Sequence, residues 1–231
     1  DAVNTARVLG ITLTKRNNGS DGSMELAGFP FHALDTYLHK LVKAGYRIAI
    51  CDQLEDPKQA KGIVRRGVTE LITPGTAMNE KLLDTLSNNF LASVFFSDEQ
   101  QGIALLDIST GEFFCTEGNV EYLDKLLQSF KPAEILFPKT KKKLFTEQFG
   151  ERYYTYGLDD WIYSGTYAQD VLLAHFQTLT LKGFGVEDLP LAIHAAGAIL
   201  HYLKETEHHQ LHHISSLQRM TRNDFLWMDR F

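Results

Sequence analysis

Cationic and amide side chains gather where a predicted strand ends, close to the beginning of the sequence. The strand starts at Ile11, where apolar and polar residues alternate as they do in a half-buried strand. Lysine, arginine and asparagine at a strand end reach the phosphate oxygens of nucleic acid, and a Gly-Pro corner lets a duplex approach the backbone closely. The sequence therefore predicts a DNA-backbone contact at Lys15, Arg16, Asn17, Asn18, Gly28, Pro30 and His32, which Lys61, Arg65 and Arg66 would extend.

Helices and strands of ordinary length surround these residues. Residues 1–9 have one apolar side and predict the end of a helix. The Gly-Pro corner leads into a predicted helix over residues 33–42, and Gly45 is a typical helix stop. Apolar strands are predicted at residues 46–51 and 68–72, and a short helix at Pro57. These elements predict a mixed α/β unit over residues 1–76, and residues 77–88 are predicted to be a linker.

The charge distribution favours the first third of the chain as the part that binds nucleic acid. The formal net charge is −6, but residues 1–78 hold 10 lysines and arginines against 8 acids, a net of +2. Residues 79–231 hold 13 against 21, a net of −8. No apolar run reaches the roughly twenty residues of a membrane span. Cys51 and Cys115 lie in apolar runs and are expected to be buried, reduced thiols, which predicts a cytoplasmic protein without membrane contact.

The remainder of the chain predicts a second α/β unit over residues 89–207. Three strands at 90–96, 102–108 and 112–116 precede an amphipathic helix at 120–130, a short strand at 134–137 and a further strand at 152–156. This order is that of an RNase H-like sheet. Helices are predicted at 166–179 and 189–207, and residues 208–231 are expected to begin a separate helical domain.

Other chemistries have weaker support. A nuclease of the RNase H type needs several carboxylates around two metal ions, and the candidates Asp107, Glu112 and Glu134 do not clearly converge. Four histidines at 208, 209, 212 and 213 have helical spacing, but a solvated exit from the preceding helix is the expected structure. No GxxxxGK[ST] run is present, so no nucleotide site is predicted in this chain. The carboxylates and histidines likewise lead to no predicted metal site.

Several motifs resemble the mismatch-binding domain of the DNA mismatch repair family MutS. They are LTKRNNG, AGFPFHALDTYLHKLVKAG, RIAICDQLEDP, AKGIVRR and VTELITPGT, and the resemblance continues more weakly through LLDISTGEF and GFGVEDLPLAIHAAGAILHYLKET. The resemblance implies a truncated mixed α/β mismatch-binding domain followed by an RNase H-like connector domain and the start of the helical core. It also implies that the whole protein is a homodimeric sensor of mismatched double-stranded DNA that uses ATP and Mg²⁺ and recruits MutL.

One element of the family pattern is missing before Asp1. MutS proteins insert the phenylalanine of a Phe-x-Glu motif at a mismatch, just before the helix that corresponds to residues 1–9. Phe29 and Phe31 are expected to be core or corner residues and not substitutes for it. The chain is therefore expected to bind DNA weakly, in a salt-sensitive way and without mismatch preference, and to have no catalytic activity. Two alternatives stay open: a metal-dependent nuclease, and a module that binds only protein.

Overall fold

The computed structural model describes residues 1–17, 22–56, 58, 62–77, 88–208 and 210–221. The chain forms two compact units, Asp1–Ser87 and Asn88–Phe231. Both units are of mixed α/β type, as predicted. Most of the predicted linker, together with Asn18, Pro57 and Lys61, lies outside the described residues.

The described residues of the first unit form two α-helices and two antiparallel strand pairs. In chain order they are α1 (Ala2–Leu9), β1 (Leu13–Asn17), β2 (Ser23–Ala27), α2 (Leu34–Lys43), β3 (Ile48–Gln53) and β4 (Arg66–Ile72). β1 pairs antiparallel with β2, and β3 pairs antiparallel with β4. The sequence analysis predicted no strand at β2, a run of five residues whose apolar side chains Met24 and Leu26 are exposed. Its strand conformation comes from the ladder with β1 and not from a buried apolar face.

Helix α2 supplies most of the small core of the first unit. Leu38 and Val42 lie on its buried side and pack with Ile72 of β4. Gly45 follows the helix with φ 82°, the left-handed conformation that glycine adopts without strain, and its N–H donates to the Val42 carbonyl at 2.9 Å. The predicted helix and its stop are therefore present.

Six strands and four α-helices are present in the second unit over the residues that the structure describes. They are β5 (Phe90–Phe96), β6 (Gln101–Asp107), β7 (Phe113–Gly118), α3 (Val120–Phe130), β8 (Glu134–Pro138), α4 (Lys142–Phe149), β9 (Thr155–Leu158), α5 (Gly165–Phe176), α6 (Pro190–Glu205) and β10 (Gln218–Arg219). The strands form one sheet in the order β10-β7-β6-β5-β8-β9. β6 runs antiparallel to both of its neighbours, and the other pairings are parallel.

Both faces of this sheet are buried because helices cover each of them. Successive side chains of a strand point to opposite faces, so each strand contributes to both cores. In β6, Ile103 and Leu105 face the side covered by α3 and α4, whereas Ala104 and Leu106 face the side covered by α5 and α6. This explains why the strands are continuous apolar runs and were found easily in the sequence.

Close approach and a side-chain cap fix helix α6 on the sheet. Gly102 of β6 leaves room for the first turn of α6: a Cβ at this position would lie only 2.1 Å from the Leu191 carbonyl. Glu117 of β7 accepts hydrogen bonds from the backbone N–H groups of Leu191 at 2.5 Å and Ala192 at 3.0 Å. The carboxylate thus satisfies two N–H groups that the helix itself leaves unpaired.

The segment 210–221 packs on the second unit, which differs from the prediction of a separate domain over 208–231. β10 adds to the sheet beside β7, and Arg219 makes a bidentate ion pair with Asp188 at 2.9 Å for both oxygens. Its apolar side chains are buried: Ile214, Leu217 and Met220. Because these three side chains fill sites at the edge of an existing sheet, they do not need a helical partner of their own.

Candidate nucleic-acid interface

The β1–β2 hairpin holds the first two predicted contact residues. Lys15 lies opposite Glu25 in the antiparallel register, and Arg16 lies opposite Met24. Adjacent residues of a strand point to opposite faces, so the two cationic side chains project on the two sides of the hairpin. Both side chains are exposed. Asn17 is the last residue of β1, opposite Ser23, and Asn18 is outside the described residues.

The Gly-Pro corner connects β2 to α2 directly. Pro30 has φ −62° and ψ 141°, and the next three residues, Phe31–Ala33, form one turn of 3-10 helix before α2. The Ala33 N–H donates to the Pro30 carbonyl at 2.9 Å, which fixes the turn. Gly28 is exposed, with no heavy atom of the described residues within 4 Å of the position of a Cβ. His32 is also exposed, so the corner offers both backbone and imidazole to a partner.

The two phenylalanines of this corner have different environments. The Phe29 ring packs on Tyr37 of α2 with 4.6 Å between centroids, as expected of a corner residue. Phe31 is 84% exposed, so it is a corner residue and not a core residue. The 3-10 turn explains the difference, because it turns the residue after Pro30 away from α2. Gly28 and Pro30 predict a turn here, but nothing in the sequence predicts which way the turn directs the Phe31 side chain.

Arg65 and Arg66 belong to the other hairpin. The Arg65 N–H donates to the Glu55 carboxylate at 2.7 Å, and its carbonyl accepts from the Leu54 N–H at 2.9 Å. Arg66 begins β4 opposite Gln53, and both arginine side chains are exposed. The structure thus places the predicted cations in two separate two-stranded sheets, and Lys61 is outside the described residues.

The cationic side chains of the two hairpins are available to a partner. Within the described residues, no ion pair involves Lys15, Arg16, Arg65 or Arg66. Cations that are exposed and make no ion pair attract an anionic polymer through its phosphates. The chemistry of these side chains is therefore suited to holding a nucleic-acid backbone.

The carboxylates considered for a nuclease have structural partners instead. Asp107 accepts from the Ser109 N–H and hydroxyl at 2.9 and 2.6 Å, which closes the turn after β6. Glu134 is fully buried and accepts from the Tyr202 hydroxyl at 2.8 Å. Glu112 accepts from the Asn88 amide at 2.6 Å. In the part of the chain that the structure describes, no three His, Cys, Asp or Glu side chains are arranged to hold a metal ion.

The histidines near residue 210 and the two cysteines differ in part from expectation. His208 is buried and lies 3.0 Å from the Thr206 hydroxyl, so it is not part of a solvated exit, whereas His212 and His213 are exposed, and His213 contacts the Ile108 carbonyl at 2.5 Å. Both cysteines are free thiols, but only Cys115 is buried. Cys51 is exposed because the two-stranded β3–β4 sheet leaves one face of the strand uncovered.

A search of the described helices found no segment that is both long and apolar enough to cross a membrane.

Comparison with protein families gives two matches that together cover most of the chain. The model of MutS domain I matches residues 1–81, and the model of MutS domain II matches residues 89–215.

Curated proteins that match over the whole chain carry the name DNA mismatch repair protein MutS. The proteins from Cytophaga hutchinsonii and Flavobacterium johnsoniae are each 56% identical over 231 residues, and that from Christiangramia forsetii is 58% identical. The chain covers 27%, 27% and 26% of these proteins, and so spans about a quarter of their length.

The large terminase nuclease from thermophilic phage G20c is among the solved structures that match. The match covers 58% of this chain and 64% of the other, with 16% sequence identity and a TM-score of 0.28. A TM-score this low supports no structural relationship.

Proposed function

Because this chain belongs to the MutS family and carries its domains I and II, we propose that it is the DNA-holding and relaying part of a mismatch repair sensor. The first unit would bind the sugar-phosphate backbone of double-stranded DNA, including mismatched DNA. The second unit would relay the binding of DNA to the rest of the protein and would contact a protein partner. The observation that carries the proposal is the β1–β2 hairpin, which presents the exposed cations Lys15 and Arg16.

The physical basis is the chemistry of phosphate binding. Lysine and arginine side chains that contact phosphates fix a protein on the duplex without reading its sequence. Because Lys15 and Arg16 project on opposite sides of a narrow hairpin, they would reach two separate phosphates. Asn17, Asn18, Gly28, Pro30 and His32 adjoin the hairpin along the chain, and Lys61, Arg65 and Arg66 would add contacts from the β3–β4 hairpin.

For the second unit we propose an RNase H-like connector without catalytic activity. The strand order β7-β6-β5-β8-β9, with only β6 reversed, supports this topology. The structural hydrogen bonds of Asp107 and Glu134 support a non-catalytic role, since a two-metal site needs carboxylates that are free to bind ions. In the whole protein the connector would relay between DNA and ATPase parts and would contact MutL.

The wider properties of the family extend the proposal to the whole protein. It would be a cytoplasmic homodimer that binds ATP and Mg²⁺ in a domain other than the two described here, and it would signal to MutL when it meets a mismatch. The proposed domain division is 1–76 for the mismatch-binding domain, 77–88 for the linker and 89–207 for the connector, to which residues 210–221 are added because they pack on its sheet. The family model of domain II, which ends at residue 215, is the nearest support for the last boundary.

The decisive experiment measures binding of this chain to fluorescently labelled duplexes, one fully matched and one with a single G·T mismatch, over a range of salt concentrations. Binding through phosphates should fall steeply with salt and be equal for the two duplexes, since phosphates carry no sequence information. In the double variant Lys15→Glu/Arg16→Glu, we expect the slope of log affinity against log salt to decrease by about 2, since each lost phosphate contact contributes about 1.

The matched control is Lys141→Glu/Lys142→Glu, which makes the same change of charge in the second unit at exposed lysines. This variant should change affinity only through the net charge and should keep the salt slope. If both double variants weakened binding equally, the hairpin would not be the contact and the proposed interface would be wrong. Divalent-metal-dependent cleavage of the duplex would contradict the non-catalytic role.

A further inference from the structure

After α6 the chain returns to the second unit and lies along one edge of its sheet. We call residues 210–221 the strap. Its strand β10 pairs with β7 over two residues, whereas the central strands β5 and β6 pair over seven. One further backbone hydrogen bond joins the strap to β7, from the Met220 N–H to the Cys115 carbonyl at 2.9 Å. The ladder that holds the strap is therefore much shorter than the ladders at the centre of the sheet.

The buried side chains of the strap reach both cores of the unit. Ile214 and Leu217 pack in the core that the sheet forms with α5 and α6, and Met220 packs in the core on the side of α3 and α4. The His175 ring of α5 adds a contact to the backbone of the strap, with 2.8 Å between its Nε2 and the Ile214 carbonyl oxygen. Because these contacts all come from residues 214–220, we expect them to form and break together.

An exposed ion pair closes the strap over the start of α6. Arg219 binds Asp188, which lies two residues before the helix, at 2.9 Å to both carboxylate oxygens. The two side chains are 40% and 67% exposed, so solvent and salt screen the pair and it contributes little to folding. The pair thus joins the chain before α6 to the chain after it, and it does so reversibly.

We propose that the strap detaches from the second unit and docks again as one piece while the rest of the unit stays folded, with the Asp188–Arg219 ion pair as its latch. The short ladder and the exposed latch give the strap a lower free energy of opening than the central strands, which are covered on both faces. Release bares the backbone edge of β7 and the apolar sites that Leu217 and Met220 fill, so opening changes the surface that the unit offers to a partner. This inference goes beyond the proposed function and does not depend on DNA binding.

Hydrogen exchange of the whole chain, followed residue by residue by NMR, tests the proposal. The Met220 N–H reports on the strap, and the amides of the β5–β6 ladder report on unfolding of the whole unit. We expect the protection factor of the Met220 N–H to be at least about tenfold below those of the best protected β5–β6 amides, because local opening requires less free energy than global unfolding. It should also depend less on urea, since opening of the strap exposes less surface.

Removal of the latch should make the strap open more often. In Asp188→Asn we expect the protection factor of the Met220 N–H to fall about twofold to fivefold, in the range for loss of an exposed ion pair. The matched control is Asp124→Asn, which removes the carboxylate of another exposed ion pair of this unit, that with Arg152. This control should leave the protection factor of the Met220 N–H unchanged.

A third variant separates opening of the strap from unfolding of the unit. Tyr202→Phe removes a buried hydrogen bond to Glu134 of β8, outside the strap. It should lower the protection factors of the β5–β6 amides about fivefold or more and leave that of the Met220 N–H unchanged. If Tyr202→Phe lowered both by the same factor, the strap would open only with the whole unit and the proposal would be wrong. An unchanged Met220 protection factor in Asp188→Asn would overturn the role of the ion pair as the latch.

Discussion

Substitution of Gly102 by alanine tests how closely helix α6 is packed on the sheet. An alanine Cβ would lie 2.1 Å from both the carbonyl carbon and oxygen of Leu191, and 2.6 Å from the nitrogen of Ala192. All three atoms are backbone, so no side-chain rotation relieves the overlap. Ordinary carbon contacts are about 3.5 Å or longer, so the first turn of α6 must move by roughly 1 Å or more.

The energetic cost has two parts. Forcing an extra methyl group into a packed core costs about 1–3 kcal/mol. The same movement pulls the backbone N–H groups of Leu191 and Ala192 away from Glu117, and loss of a helix N-terminal cap costs about 0.5–2 kcal/mol. We therefore expect Gly102→Ala to lower the free energy of unfolding of the second unit by about 1.5–5 kcal/mol.

Urea unfolding followed by tryptophan fluorescence measures this, because Trp161 lies in the second unit and residues 1–87 contain no tryptophan. The matched control is Gly183→Ala, where a Cβ meets nothing within 4 Å and the backbone is not left-handed. In this control the free energy of unfolding should be unchanged or slightly higher, because alanine restricts the unfolded chain more than glycine does. Should Gly102→Ala unfold within about 0.5 kcal/mol of the control, a range typical of surface substitutions, the close approach of α6 to β6 would not exist.

Three further predictions concern other contacts. One cysteine per folded chain should react with Ellman's reagent at pH 8, since Cys51 is exposed whereas burial raises the pKa of the Cys115 thiol to about 12; urea should make both reactive. Tyr202→Phe should lower the unfolding free energy in urea by about 1–3 kcal/mol, because it removes a hydrogen bond to the buried Glu134 carboxylate. The arginine partner of Asp188 lowers the pKa of that carboxyl, so its contribution to stability is present above pH ~4 and is lost as pH falls through the lowered pKa; Asp188→Asn should make stability less sensitive to acid in this range, as thermal unfolding would measure.

The sequence predicted the second unit more accurately than the first, and burial explains this. β5 was predicted at its observed bounds, and so was α3, because a sheet covered on both faces has long apolar runs and its helices have one apolar side. The short, exposed strand β2 has no long apolar run, and pairing with β1 holds its conformation. Packing of residues 210–221 on the sheet was equally hidden, since spaced apolar residues do not reveal which surface will cover them.

The candidate interface shows the same limit. The residue types of Lys15, Arg16 and His32 indicated phosphate binding, and the structure finds all three exposed. Their arrangement was not predictable: alternation along β1 separates Lys15 from Arg16, and the other hairpin carries Arg65. Composition thus indicates a chemistry, whereas pairing and turn geometry determine which residues can perform it together.

The two units of the chain also differ in what their polar groups are free to do. In the second unit the acids that suggested catalysis are hydrogen-bonded within the fold, as Glu134 is to Tyr202, and their mutation should therefore affect stability. In the first unit, the described cations of the β1–β2 hairpin are exposed and no described ion pair neutralises them. Exposed groups of this kind add little to folding, so their mutation should affect binding while leaving stability nearly unchanged. That opposite response gives the division of roles between the units a direct experimental test.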